Sequence, residues 1–328
     1  MKNLILSIYS IILSFSLFVA STKVFAEFQV IDVDEEIHFN EVWYKKKRSD
    51  EENFKRLING LKNIPSGKMI IEKATEKAAQ KGLTLYDVMA IGDGSLTDTT
   101  LVRRFSASDP TNVIYETKSV VYLNRHLETL DALLDLAHEL THFTYREAFN
   151  PYDHHFSLKD FIKSTVEGRG GEVDAYIVEC KVLFEMLPGQ GSNRTNCLKI
   201  FDKKLGSISK ELGISEFYKI GVHYKDFKKE LKKFSLDEKD LPEVSSAEAL
   251  FISSAWELPY PVAAIKEFTN IMDRVCKNDQ NRLSMMQNKI TRGPASNEDG
   301  KLESKNDHTA YKTMFEDYKI RCEKFQTL

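Results

Sequence analysis

The chain has 328 residues, 46 Lys and Arg against 49 Asp and Glu, a formal net charge of −3 and 42% hydrophobic residues. About three hundred mature residues suffice for one domain with a helical extension, or for two. The mild acidity, with no basic patch interleaved with aromatics, gives no reason to expect a nucleic-acid partner.

Met1-Lys2-Asn3, the apolar run Leu4 to Ala20 and the small residues around Val24-Phe25-Ala26 read as a cleaved secretory signal over residues 1–26. An uncleaved anchor is the alternative, because the run is almost long enough to span a bilayer. Loss of Lys2 and Lys23 would leave a net charge of about −5. No second stretch approaches the length of a spanning helix, so no stable membrane insertion is expected after cleavage. A polar segment follows from Glu27 to Glu52, with Lys45-Lys46-Lys47-Arg48 read as a solvated face or flexible arm; a removable pro-segment is the alternative. Helical patterns are expected over Phe54 to Leu61 and Lys68 to Gln80, punctuated by Asn59-Gly60 and Pro65-Ser66-Gly67. Leu83 to Ile91 reads as a strand, and Asn112 to Glu116 and Ser119 to Leu123 as two more, rich in β-branched and aromatic residues.

Next comes His138-Glu139-Leu140-Thr141-His142. Leu130, Leu133, Leu134, Ala137, Leu140 and Tyr145 recur at helical spacing, so Glu128 to Phe149 reads as a helix with one buried face. Positions i and i+4 share a helix face, so both imidazoles can reach one metal ion. Glu139 is close enough to handle a water bound to that metal. This is the H-E-x-x-H arrangement of zinc metallopeptidases. The neighbours Leu136, Ala137, Leu140, Thr141 and Phe143 carry no charge, as a buried metal helix requires. A preceding strand with a free edge could hold an extended peptide over the metal.

Catalytic zinc takes three protein ligands and keeps one position for water. The extended form with a third histidine fails, because Tyr145 and Ala148 stand where its glycine and histidine would be. The better source is Gly170-Gly171-Glu172-Val173-Asp174-Ala175-Tyr176. There two glycines break the chain and a new helix is expected over Glu172 to Met186, after a short helix from Ser157 to Thr165. Rivals for the third position are Glu167, Asp153, His154, His155, Glu179 and Glu248.

With these residues the chain resembles the gluzincin group of zinc metallopeptidases, in which H-E-x-x-H is followed, on a second helix, by a glutamate ligand. The resemblance covers residues 110 to 185. It implies a zincin-like core, one catalytic Zn²⁺ held by His138, His142 and Glu172, and Glu139 as general base. Where that group usually has an aspartate four residues after the ligand, this chain has Tyr176. The carboxylate orienting a ligand histidine is therefore assigned to Asp174. Tyr176, His154, His155 and His223 are the candidates to stabilise an oxyanion.

Beyond Leu187-Pro188-Gly189 helices are expected over Cys197 to Leu212, Phe217 to Phe234, Ser246 to Glu257 and Val262 to Cys276. Ser245 and Glu248 fit a capping box. Residues 277 to 309 read as a polar loop, and Ala310 to Phe325 as a final helix. Four cysteines in an exported chain suggest disulfides, with Cys180–Cys197 and Cys276–Cys322 as the neighbouring pairs. The fold expected is α+β and predominantly helical: a zincin-like core over 27–190 with a small antiparallel or mixed sheet, and a helical C-terminal part over 191–328. The function expected is a secreted or periplasmic zinc peptidase acting on proteins or peptides. The competing readings are a zincin-like module that binds metal or a partner without hydrolysis, and a helical binding protein without metal. Substrate preference and oligomeric state are not encoded in spacing.

Overall fold

The structure is a computed structural model describing residues 38–106, 108–188, 196–292 and 298–326. The proposed leader over 1–26 lies outside the described residues. The chain is mixed α+β and mostly helical, with three small sheets among the described residues.

Helices α1 (Asp50–Lys62) and α2 (Pro65–Ala79) lead in. The first begins in a capping box, with Ser49 and Glu52 satisfying each other's backbone N–H groups. Strands β1 (Met89–Gly92), β2 (Leu96–Arg104) and β3 (Ile114–Asn124) form a sheet of order β1-β3-β2, parallel between β1 and β3 and antiparallel between β2 and β3. Helix α3 (Thr129–Tyr145) carries the H-E-x-x-H motif. After α4 (Leu158–Val166) comes α5 (Glu172–Met186), which packs along α3. Two short hairpins, β4 (Phe201–Asp202) with β5 (Ser207–Ile208) and β6 (Ile252–Ser253) with β7 (Leu258–Pro259), flank α6 (Lys210–Phe217) and α7 (Tyr224–Lys233). The long helices α8 (Tyr260–Arg292) and α9 (Glu298–Gln326) pack against each other. From His38 to Leu328 the chain is one unit.

The main core lies between α3, the sheet and α1, α2 and α5. Leu133, Leu136, Ala137 and Leu140 of α3 are buried there with Val121 and Leu123 of β3. Burial of such side chains is worth about 1.5–3 kcal/mol each, so α3 is among the most firmly seated elements.

Several expectations are corrected. The two strands expected over 112–123 are one strand, β3, and it is central, between the edge strands β1 and β2; the sequence Leu-Thr-Asp-Thr-Thr of β2 lacks a clear apolar alternation. Leu83 to Ile91 is mostly a loop and a short 3-10 turn, with only β1 extended. Ahead of the basic run, residues 38–44 are docked on the body. Trp43 is buried and its indole N–H donates to the Asn124 carbonyl at 2.8 Å. The Glu41 and Phe39 carbonyls accept from the Thr129 and Leu130 N–H groups, supplying the cap that α3's own sequence lacks. Lys46 and Lys47 face solvent, as a solvated basic face would.

Cys197 to Leu212 is broken by the β4–β5 turn. Asp202 accepts from the Lys204 and Leu205 N–H groups, and Gly206 adopts φ +66, a conformation that favours glycine. The helix expected over Ser246 to Glu257 does not form. Ser245 instead pairs with Tyr218 and Ile220, and Phe251 is buried in a stack on Phe217 at 4.3 Å, so tertiary contacts override local propensity. The polar stretch 277–309 is helical in its described parts, because α8 runs on to Arg292 and α9 starts at Glu298. Leu283, Met286, Met314 and Tyr318 form a small core between them, beside the Cys276–Cys322 disulfide. The Cys180–Cys197 disulfide fastens α5. Both disulfides fit an oxidising, extracellular compartment. Among the described residues no helix is long and apolar enough to cross a membrane.

Candidate metal centre

Helix α3 sets His138 and His142 one turn apart, with ring centroids at 4.8 Å. Helix α5 runs beside it and begins at Glu172, so its first side chain is delivered against both rings. Glu172 Oε2 lies 3.4 Å from His138 Nε2 and 3.4 Å from His142 Nε2. The three donor atoms lie within 4.8 Å of one another and could hold a metal ion. Glu172 and His142 are buried and His138 is half-buried.

Each ring is fixed through its other nitrogen. His138 Nδ1 is 3.0 Å from Glu179 Oε2, and His142 Nδ1 is 2.8 Å from the Gly170 carbonyl. A ring nitrogen that donates N–H to such an acceptor leaves Nε2 as the free lone pair, so both imidazoles present the correct atom to a cation. Gly170 has φ +69, and a Cβ there would stand 2.6 Å from the Arg146 nitrogen. Only glycine lets this carbonyl approach the end of α3. Asp174 does not reach a histidine: it accepts from the Gly170 N–H at 3.1 Å and from Lys210 Nζ at 2.7 Å. It steadies the loop that steadies His142, and the carboxylate on His138 is Glu179. Glu179 lies seven residues after Glu172, two turns along the same face, which is the signal that could have revealed it.

Arg146 leaves the end of α3 and turns back, donating to Glu172 Oε1 at 3.0 Å and to the Gly170 carbonyl at 3.3 Å. Burial works against charge on His138, but hydrogen bonds to Glu172 and Glu179 outweigh it and hold its pKa well above the usual imidazole value. Burial likewise opposes charge on Glu172, yet the His142 charge, hydrogen bonds to both histidines and Arg146 hold it well below the carboxylate range.

Glu139 is buried, and its carboxylate Oε2 accepts from the Thr97 hydroxyl of β2 at 2.7 Å. Sequence reasoning missed Tyr260, the half-buried first residue of α8, which lies near enough to Glu172, Glu179 and Glu139 to feel their charge. Burial and then the carboxylates Glu172, Glu179 and Glu139 raise its pKa well above the usual phenol value. Its ring stacks on Phe217 at 5.1 Å. Tyr176 lies in the same aromatic cluster, edge-on to Phe217 and Phe251. The other candidates are elsewhere. His154 pairs with Asp317, the His155 N–H bonds Asp153, His223 sits in a short 3-10 turn, Glu167 pairs with Lys163, and Glu248 is exposed.

Comparison with protein families, curated proteins and solved structures gives no match for this chain.

Proposed function

We propose that this chain is a secreted, zinc-dependent metallopeptidase with a zincin-like core that hydrolyses peptide bonds in proteins or peptides. The observation that carries the reading is the convergence of His138 Nε2, His142 Nε2 and Glu172 Oε2, with Glu139 buried on the same helix. Ligands at about 2.0–2.1 Å from a tetrahedral zinc stand about 3.3 Å apart, and both imidazole–carboxylate separations here are 3.4 Å. The donor set of two imidazoles and one carboxylate suits zinc and leaves a fourth position open.

When bound, the zinc supplies Lewis acidity, lowering the pKa of a water and polarising a carbonyl oxygen. The chain's own residues do the rest. Glu139 takes a proton from the attacking water and passes it to the departing amine nitrogen. Tyr260, at the start of α8 and near Glu172, is the donor we assign to the oxyanion that develops on the scissile carbonyl. Glu179, the Gly170 carbonyl and Arg146 hold the ligands in place through the cycle. Among the described residues β2 pairs only with β3, so its outer edge is open to an extended peptide laid antiparallel or parallel by backbone hydrogen bonds. A purely structural metal site has no use for a buried carboxylate such as Glu139, which favours hydrolysis over a passive binding role.

The test is hydrolysis of casein and of quenched fluorescent peptide libraries by the exported chain, beside Glu139→Gln, with zinc measured on the same samples. Loss of activity in the variant with zinc retained supports the reading. Zinc-loaded wild type that cleaves none of these substrates would count against it.

A further inference from the structure

Glu139 does not stand alone in its pocket. The hydroxyl of Thr97 lies 2.7 Å from its carboxylate Oε2 and 2.8 Å from its own backbone carbonyl. Thr97 belongs to β2 and is registered against Val121 of β3, a residue fully buried in the core. The hydroxyl is therefore fixed by the sheet, while the carboxylate it touches is carried by α3.

We propose that Thr97 is the positioning residue of Glu139, its hydroxyl holding the carboxylate at a fixed point over the site. The inference rests on the peptidase reading, in which Glu139 handles a proton. A glutamate side chain has three rotatable bonds, and on a helix nothing intrinsic aims its carboxylate at a neighbouring ligand. A hydroxyl donating to a carboxylate makes a charge-assisted hydrogen bond, stronger than a neutral one. A single hydroxyl carries one proton, so it serves the carboxylate and the carbonyl alternately. Both acceptors belong to Glu139, so the hydroxyl has a partner on this residue in either orientation. When the proton is donated to Oε2 the carboxylate is held, and its other oxygen is left for the water.

The location has a second consequence. Thr97 stands on the strand whose outer edge is open, so the strand offered to a peptide and the anchor of the base are one element. A peptide paired along β2 would meet Glu139 at a fixed height, without a separate adjustment of the base. The hydroxyl itself points at α3, so its loss would act on the base rather than on peptide binding.

The experiment compares wild type with Thr97→Val, Thr97→Ser and Glu139→Gln as full exported chains. Two readouts are taken: steady-state hydrolysis, and the carboxyl-carbon resonance of Glu139 in protein carrying labelled glutamate, at one alkaline pH, assigned by its absence in Glu139→Gln. Zinc content serves as the check on folding, since valine is nearly isosteric with threonine. The expected result for Thr97→Val is full zinc content, a displaced Glu139 resonance, KM unchanged and kcat lower by about tenfold to hundredfold, the range for a misplaced reacting group. Thr97→Ser restores both the resonance and kcat. An unmoved resonance in Thr97→Val, or a kcat equal to wild type, overturns the proposal. If zinc-loaded wild type cleaves nothing, the peptidase reading fails, and the resonance alone still decides whether Thr97 holds Glu139.

Discussion

Removing the Glu179 carboxylate from His138 tests whether the site is built outward from the metal ligands as the geometry indicates. Glu179 Oε2 stands 3.0 Å from Nδ1, and its side chain is only 16% exposed, so solvent screens the contact weakly. A hydrogen bond to a charged group in such a position is worth about 1.5–3 kcal/mol. Loss of an orienting partner of this kind typically weakens metal binding by about 10- to 100-fold, or about 1.4–2.8 kcal/mol, and the two ranges agree. Glu179→Ala is therefore expected to lower zinc affinity by that factor, with Glu179→Gln intermediate because its amide oxygen still accepts. Competition with a chromophoric chelator at one pH and ionic strength measures it. Zinc affinity for Glu179→Ala within about twofold of wild type would refute the assignment of Glu179 as the group that fixes His138.

Three further outcomes are expected. Tyr260→Phe keeps its zinc and its KM but loses about 100- to 1000-fold in kcat, as removal of one oxyanion donor does; an unchanged kcat would return Tyr260 to a packing role. Asp279, fully buried between the Arg103 and Arg321 guanidiniums while Arg103 stacks on Tyr152 at 3.7 Å, ties β2 to α8 and α9. Asp279→Asn should destabilise the fold by about 3–5 kcal/mol in urea melts, with Arg103→Met in the same chain recovering part of that loss. Asp135, one turn before His138, has its carboxyl pushed up to about 6, by burial first, against a hydrogen bond from Ser95. Its folded pKa exceeds the unfolded value of about 3.9, so the native state binds the extra proton between those values and stability falls as pH rises from about 4 to about 6. Asp135→Asn should remove that fall in chelator-treated protein, gaining up to about 3 kcal/mol at neutral pH and little at pH of about 4; an equal effect at both would contradict it.

The site was legible where local rules decide. The i, i+4 histidines need only a helix, and the apolar face of α3 announces one. Glu172 to Met186 is a helix with the bounds its sequence suggests, because Gly170-Gly171 break the chain ahead of an acidic first turn. The disulfides link cysteines that are neighbours in sequence. Legibility ends where a residue acts through tertiary approach. Tyr260 reaches Glu172 from 88 positions downstream, and nothing in its own neighbourhood marks it. Thr97 belongs to a strand whose polar sequence hides it, because its inner face meets α3 where Glu139 takes the place of an apolar contact. The helices expected over 197–212 and 246–257 gave way to a glycine turn and to a backbone bridge with Tyr218 and Ile220. Local pattern cannot foresee the bridge; the turn had a signal in Asp202 and Gly206 that the apolar periodicity outweighed.

The most direct test of the metal centre is anomalous diffraction from crystals of the zinc-loaded chain, recorded on both sides of the zinc absorption edge. One strong edge-dependent peak bonded to His138 Nε2, His142 Nε2 and a Glu172 carboxylate oxygen is the expected result. A zinc peak lying elsewhere, or none at these three side chains in a protein that binds zinc in solution, would contradict it.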